Sequence, residues 1–170
     1  MEAQLKGGDP TVLRPNETEE RNGFKELVKA LENPVDAPSL DEFFKPGSKI
    51  LFLVNDATRP TPTPTILEAL KPWLTKIEPR FLVACGSHPP PTENHLRSKI
   101  FGPHLEKYRS KIGFSSPEAS KYVFSGETSR GTKLHFNEEA VRAEKVFIIS
   151  SVEPHYFAGF TGGRKSILPG

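Results

Sequence analysis

Three short apolar runs, none of which alternates with polar residues, constrain the fold of this chain more than any other feature. The runs are Ile50 to Val54, Phe81 to Ala84 and Val146 to Ile149. A strand with one face in water alternates apolar and polar side chains, whereas a strand buried on both faces is apolar throughout. Because helical patterns separate the runs, the sequence predicts an α/β fold. Its open, mostly parallel sheet would carry helices on both faces in a Rossmann-like arrangement.

The segments between the runs combine helix-capping residues with apolar residues at helical spacing. A capping box at Asn16 and Glu19 predicts a first helix that ends near Asn33, and Ser39 predicts the cap of a short second helix. The other predicted helices are Pro64 to Leu74, Thr92 to Phe101 and a short one capped by Asn137 that runs through Arg142. The predicted strands are Lys49 to Asn55, Arg80 to Cys85, Lys121 to Phe124, Lys133 to Phe136 and Lys145 to Ser150.

Length and charge limit the domain organisation and the classes of partner. The 170 residues suffice for one domain, predicted as a flexible arm over residues 1–15 and an α/β domain over residues 16–170. The charges nearly cancel to a net +2, which argues against a nucleic-acid or membrane partner. No apolar run approaches the roughly 20 residues of a membrane span. With a single cysteine and no signal-peptide pattern, the chain is predicted to be cytoplasmic.

A polar, turn-forming cluster directly follows each of the three apolar runs. The first cluster is residues 55–60 (NDATRP), the second is residues 86–89 (GSHP) and the third is residues 153–155 (EPH). In open α/β sheets, ligands bind in the crevice beyond the carboxyl ends of the strands. The sequence therefore predicts that the three clusters form one site.

The first two clusters offer groups for ion binding and for proton transfer. The planar guanidinium of Arg59 suits a carboxylate or phosphate. The alternative is a capped turn in which Arg59 pairs with Asp56, with Thr58 between them. His88, fixed by three prolines, suits general acid/base work, although a loop histidine is often merely exposed. We interpret the remaining residues of these types as structural, surface or buried: His95, His104, His135 and Cys85.

The terminal segment, residues 153–170 (EPHYFAGFTGGRKSILPG), joins a histidine, a glycine turn and two cations. Glycine allows close backbone approach, and successive free N–H groups in such a turn bind anions. The segment matches neither the Walker nor the dinucleotide pattern, and the spacing of the histidines shows no metal-ligand signature. Phosphate binding, Schiff-base chemistry by the lysine and an inert turn all remain open. The candidate residues are His155, Gly162, Gly163, Arg164 and Lys165.

Three runs taken together, NDATRPTPT, CGSHPPPTE and the terminal segment, resemble the lactate racemase family, whose members use a nickel-pincer nucleotide cofactor. The resemblance begins near residue 40, and TSRGT at residues 128–132 is also similar. It implies that Lys165 binds the cofactor covalently and that Arg59 holds the substrate carboxylate. It also implies that His88 and His155 alternate as general acid and base on the substrate hydroxyl. Further residues that it implies near the cofactor are Asp56, Thr58, Gly162, Gly163 and Arg164.

The resemblance also implies a reaction, partners and a missing part. The reaction is proton-coupled hydride transfer at C2 of a 2-hydroxyacid, and the partners include cofactor-synthesis proteins. Family proteins are longer, with a second domain and a nickel-binding histidine downstream of GGRK. We therefore predict the N-terminal, cofactor-anchoring part of a racemase or epimerase, without a metal ligand and inactive by itself. The alternatives are a non-catalytic nucleotide- or phosphate-binding module and a Schiff-base enzyme that uses Lys165.

Overall fold

The computed structural model describes residue 16, residues 22–118 and residues 120–168, so the predicted arm lies outside the described residues. The strands are β1 (Lys49–Asn55), β2 (Glu78–Ala84), β3 (Ile112–Ser115), β4 (Tyr122–Glu127), β5 (Lys133–Asn137), β6 (Lys145–Ile149), β7 (Pro154–His155) and β8 (Gly159–Phe160). The α-helices are α1 (Gly23–Glu32), α2 (Leu40–Phe43), α3 (Thr63–Ala69), α4 (Lys71–Leu74), α5 (Glu93–His95), α6 (Leu105–Tyr108) and α7 (Glu138–Arg142). A π-helical turn (Leu96–Ile100) continues α5, and 3-10 segments lie at Gly102–His104, Arg109–Lys111 and Gly163–Ser166. No helix in this part of the chain is both long enough and apolar enough to cross a membrane.

Four parallel strands form the central sheet in the order β3-β2-β1-β6, which confirms the predicted open parallel α/β fold. Phe52 in the middle of β1 pairs with Phe81 of β2 on one side and with Phe147 of β6 on the other. The fourth parallel strand therefore returns to the free side of β1 instead of extending the sheet beyond β3. In doubly wound sheets this reversal opens a ligand crevice at the carboxyl ends of the strands.

The two faces of β1 belong to two separate cores, which is why its sequence does not alternate. Phe52 and its same-face neighbours pack under α3 and α2, with ring centroids 5.8 Å from Phe44 and 5.2 Å from Phe81. On the opposite face, Leu51 and Leu53 pack with side chains of α7 and with Ile167. Each fully buried side chain of this size contributes about 1.5–3 kcal/mol to folding.

The helix bounds depart from the predictions at two places. Asn22, and not Asn16, caps α1, because its side chain accepts the N–H of Lys25; Glu19 lies outside the described residues. The helix predicted from residue 64 to residue 74 is divided into α3 and α4. Pro72 has no N–H for a helical bond, and its ring would collide with the preceding turn. The caps predicted at Ser39 and Asn137 are confirmed.

The strands predicted from the turn-rich middle of the chain lie outside the parallel sheet. β4 and β5 pair with each other as an antiparallel ribbon, with an irregularity between Phe124 and Gly126. The one strand of the parallel sheet that was not predicted is β3, only four residues long and paired on one side to β2. Gly113 and Ser115 interrupt its apolar pattern, so the segment gives little sequence signal for a strand.

Candidate functional site

A cavity of about 260 Å³ opens at the carboxyl edge of the parallel sheet, beside the reversal of strand order. The loops after β1 and β2 contribute to its wall, as does the glycine turn that follows β8. The predicted third cluster, residues 153–155, does not line the cavity, so the structure brings the first two clusters and the glycine turn to one place. Three of the predicted residues, His155, Gly163 and Arg164, do not belong to the wall. The predicted residues that line it are Asp56, Thr58, Arg59, His88, Gly162 and Lys165.

The buried carboxylate of Asp56 organises the loop after β1 and also contacts His88. Its Oδ1 accepts the backbone N–H of Thr58 at 3.1 Å and the Thr58 hydroxyl at 2.6 Å. Its Oδ2 lies 2.8 Å from Nδ1 of His88. The alternative in which Asp56 pairs with Arg59 is not what the structure shows. Asp56 instead holds the imidazole at the cavity, and the His88 side chain is about half exposed there.

Short-range bonds at the end of β2 fix the position of His88. The backbone N–H of His88 donates to the carbonyl of Cys85 at 2.9 Å, and Gly86 between them has a φ of +58° that other residues rarely adopt. Cys85 is buried, as predicted. Burial and the nearby charge of Asp56 raise the pKa of its thiol to about 12, so it stays protonated at neutral pH and offers no nucleophile.

The salt bridge between Arg59 and Glu153 joins the loop after β1 to the loop after β6. The guanidinium and carboxylate are 3.9 Å apart, and both side chains remain more than a third exposed. An exposed pair of this kind contributes only about 0–1 kcal/mol. A ligand carboxylate can therefore displace Glu153 from Arg59 at little cost.

Gly162 lies against the chain that leaves β6 and leaves no room for a side chain. A Cβ at this position would lie 2.5 Å from the Ser151 carbonyl oxygen and 2.8 Å from Oγ of Ser150. The Ser150 hydroxyl accepts the N–H of Gly163 at 3.1 Å, and the N–H of Lys165 donates to the Gly162 carbonyl. The sequence predicted free N–H groups in this turn that bind an anion. This prediction is wrong for Gly163 and Lys165, whose N–H groups are bonded within the protein. Gly162 is required for close packing against Ser150 and Ser151 within the protein.

The two cationic side chains of the 3-10 segment Gly163–Ser166, Arg164 and Lys165, point to different surroundings. Lys165 is half-buried in the cavity wall, whereas Arg164 is exposed and lies outside it. Ile167, two residues after Lys165, packs into the second core and fixes the segment to the sheet. Within the described part of the chain, neither a hydrogen bond nor an ion pair engages the Lys165 amine. The amine is therefore free to react with or bind a ligand.

His155 lies in the β7–β8 hairpin and faces its own backbone. Its Nδ1 accepts the N–H groups of Phe157 and Ala158, each at 3.2 Å, and its ring stacks on Tyr156 at 5.1 Å. Thr161 holds the base of the hairpin, because its hydroxyl accepts the N–H of Glu153 and donates to a carbonyl of the loop. The structure thus places the second candidate base beside the cavity loops without bringing it into the wall.

A buried hydroxyl that the sequence analysis did not select joins two of the cavity loops. Oγ1 of Thr61 accepts the Asn55 side-chain amide at 2.8 Å and the Ser151 N–H at 3.0 Å. Asn55 is the last residue of β1 and Ser151 lies two residues after β6, so their position at the sheet edge could have indicated a role. Their pairing through Thr61 depends on contacts across about 90 residues, for which the sequence carries no signal.

The remaining histidines lie away from this cavity, consistent with their interpretation as structural or surface residues. His104 is 3.6 Å from Glu68, and the ring of His135 contacts Phe124 on the β4–β5 ribbon. Among the residues that the structure describes, no group of three or more His, Cys, Asp or Glu side chains is placed to hold a metal ion.

An open parallel α/β sheet with a polar cavity at its strand reversal places this domain in the doubly wound α/β class. More specifically, the chain belongs to the family described as the lactate racemase N-terminal domain, whose sequence model matches residues 3–170. It is 33% identical over 151 residues to the lactate racemase of Thermoanaerobacterium thermosaccharolyticum. That match covers 86% of this chain and 35% of the relative.

A second relative and a solved structure agree with this assignment. The chain is 34% identical over 148 residues to the lactate racemase of Lactiplantibacillus plantarum, covering 85% of this chain and 35% of that protein. The structure of the lactate racemase apoprotein from T. thermosaccharolyticum superposes with a TM-score of 0.71 at 32% identity, over 86% of this chain and 36% of that one. The chain thus spans about a third of the length of the curated relatives it matches.

Proposed function

We propose that this chain is the cofactor-anchoring part of a racemase or epimerase that acts on a 2-hydroxyacid and depends on a nickel-pincer nucleotide. The observation that carries the proposal is that an unengaged lysine, an arginine and a carboxylate-held histidine line one cavity: Lys165, Arg59 and His88. The family of the chain supports a racemase-related role. The reaction, the substrate and the cofactor are the parts of this proposal that go beyond the family assignment.

The residues of the cavity fit the anchored end of such a cofactor. Lys165 offers for covalent attachment an amine that no described residue engages, and the hydroxyl of Ser87 lies in the same wall for polar ring substituents or a phosphate. When bound, the group would supply the acceptor for a hydride from C2 of the substrate. The nickel-binding histidine of the family is expected downstream of GGRK, as the resemblance implies, and is not assigned to a residue of this chain.

The side chains of the cavity have separate tasks in the proposed reaction. Arg59 releases Glu153 and binds the substrate carboxylate, which fixes the orientation of C2. Nε2 of His88 accepts the hydroxyl proton, and the resulting imidazolium faces the carboxylate of Asp56. His155 serves the opposite enantiomer, which requires its ring to leave the position it occupies in the hairpin.

The second candidate function is a non-catalytic module that binds a nucleotide or another phosphorylated small molecule in the same cavity. It is favoured by the position of His155 outside the cavity wall, since a racemase needs a base on each side of C2. In that case Lys165 would contact a phosphate without forming a covalent bond.

For the first function, the racemase or epimerase, the proposed partners are a 2-hydroxyacid substrate and the proteins that make and load the cofactor. The proposed location is the cytoplasm.

Intact mass after loading separates the two functions. The full-length protein would be produced together with cofactor-synthesis proteins, and its mass compared with that of a Lys165→Ala variant. The expected result is a nickel- and sulfur-containing adduct on Lys165, accompanied by racemisation in a panel of 2-hydroxyacids. Lys133→Ala, on the β4–β5 ribbon outside the cavity wall, is the matched control and should load normally. Reversible phosphate-ligand binding without any adduct would favour the second function.

A further inference from the structure

We propose that the chain holds its two candidate bases as opposite neutral tautomers, so that only His88 is ready to exchange a proton. His88 presents a bare Nε2, and His155 is held by its own hairpin with the proton on Nε2. Asp56 is then a positioning residue that acts through His88. The catalytic meaning of this difference rests on the proposed function, whereas the tautomers themselves do not.

The tautomer of His88 follows from the chemistry of its partner. A carboxylate oxygen can only accept a hydrogen bond, so the 2.8 Å contact with Oδ2 of Asp56 requires the proton on Nδ1 of His88. A neutral imidazole carries one proton, which leaves Nε2 with a lone pair. The other carboxylate oxygen is occupied by two donors of Thr58, which keeps the carboxylate from rotating away. Nε2 of His88 is therefore the nitrogen that can accept a proton.

The tautomer of His155 follows from the opposite argument. Backbone N–H groups can only donate, and those of Phe157 and Ala158 both point at Nδ1 from 3.2 Å. Nδ1 must then be the acceptor, and the proton lies on Nε2. The tight hairpin makes this possible, because His155 pairs with Gly159, whose φ of +76° closes the turn around the ring.

The hairpin bonds prevent His155 from acting as an acid or a base in this conformation. Nε2 is already protonated and cannot accept the hydroxyl proton. A proton on Nδ1 would also face two N–H donors, so these two bonds have to break before that nitrogen can carry one. The enantiomer whose hydroxyl faces His88 thus transfers its proton directly to Nε2. The other enantiomer can transfer its proton to His155 only after the two hydrogen bonds from Phe157 and Ala158 to Nδ1 have broken.

Nitrogen-15 NMR of the histidine rings in the full chain tests this directly. Two-bond proton–nitrogen correlations distinguish the two neutral tautomers, and His88→Gln and His155→Gln variants assign the signals. The expected spectrum shows the Nδ1–H form for His88 and the Nε2–H form for His155. Two rings of the same tautomer, or rings averaging rapidly between both, would contradict the proposal.

An Asp56→Asn variant tests the positioning role. The donors of Thr58 should hold the amide oxygen, which turns the amide NH₂ toward Nδ1 of His88 and converts that ring to the Nε2–H form. His155 should keep its signals, and Asp41→Asn on the surface should change neither ring. If Asp56→Asn leaves the His88 pattern intact, Asp56 does not set the tautomer.

The NMR readout also separates this inference from the proposed function, because it requires neither cofactor nor turnover. Opposite tautomers in a protein that never racemises a 2-hydroxyacid would contradict only the proposed function. Racemisation by a protein whose two rings share one tautomer would contradict only the inference.

Discussion

Nδ1 of His88 lies 2.8 Å from Oδ2 of Asp56, although the two residues are 32 positions apart in the chain. The parallel register brings the two loops within reach of each other. β1 and β2 run side by side with Asn55 opposite Ala84, so the residues that follow these two leave the sheet at the same edge. The first residue after β1 then meets the loop after β2, and a carboxylate there can orient an imidazole.

Under the proposed racemase function, replacing the histidine in this pair should remove most of the catalytic rate. We expect His88→Ala in the loaded full-length enzyme to lower kcat by roughly 10²- to 10⁴-fold, the usual contribution of a general acid or base. Racemisation kinetics would measure the loss, while intact mass should show that Lys165 still carries its adduct. His95→Ala, outside the cavity wall, should turn over normally. A His88→Ala enzyme with unchanged kcat would remove His88 from the mechanism.

Arg59 and Glu153 should have unequal effects on substrate binding. Loss of a charged hydrogen bond costs about 1.5–3 kcal/mol, so Arg59→Ala should raise KM by about 10- to 100-fold with a smaller change in kcat. Glu153→Gln removes only a competing carboxylate from a pair worth about 0–1 kcal/mol. It should lower KM by no more than about fivefold. A large rise of KM in Glu153→Gln would mean that this carboxylate contacts the substrate or supports the loop.

The sheet could be predicted from the sequence because burial on both faces makes most residues of β1 and β2 apolar. β6, at the other end of the sheet, was predicted to be buried but is only half-buried before Ile149. The bounds of β1 are those predicted, since the residues from Ile50 to Asn55 are all buried. β3 gave no such signal, because an edge strand of four residues needs few apolar side chains. The antiparallel β4–β5 ribbon shows the same limit, since its half-exposed side chains do not reveal which strand they pair with.

The sequence predicted where the site lies more accurately than it predicted which side chains contact each other there. Strand order and the carboxyl-end rule bring the loops together whatever side chains they carry. The choice of partners depends on loop geometry that the sequence does not encode locally. Asp56 contacts His88 and not the nearby Arg59, and the ring of His155 bonds to its own hairpin. Gly162 was expected to allow close approach of a ligand, but the group that lies close to it is the carbonyl of Ser151.

The acid stability of the domain should depend on a surface cluster of charged side chains between residues 93 and 109. The guanidinium groups of Arg109 and Arg97 lower the pKa of Glu106 from 4.5 to about 2, and Arg109 also lowers the pKa of Glu93. A depressed folded-state pKa contributes stability above the unfolded value that is lost as pH falls from about 4.5 toward 2. Glu106→Gln should therefore melt below the wild type near pH 6, and the difference should vanish near pH 2.

The control for this experiment is Glu144→Gln, a carboxylate outside the cluster, which should not reproduce the pH-dependent difference. Because the groups are exposed, added salt should reduce the gap between Glu106→Gln and the wild type at pH 6. A gap that persists unchanged at pH 2 would show that Glu106 contributes through packing and not through its charge.

The two adjacent glycines of the turn should differ in their tolerance of a methyl group. Gly162 combines a φ of +73° with a ψ of −172°, a region that is essentially restricted to glycine, and its added Cβ would press on the Ser151 carbonyl. Strain and overpacking each cost about 1–3 kcal/mol, so Gly162→Ala should lower the free energy of unfolding by roughly 2–6 kcal/mol. Gly163, at a φ of +51°, has open space around its Cβ position, and Gly163→Ala should cost only about 1–2 kcal/mol. Urea unfolding of both variants gives the comparison, and equal losses would show that the contact with Ser151 does not limit this position.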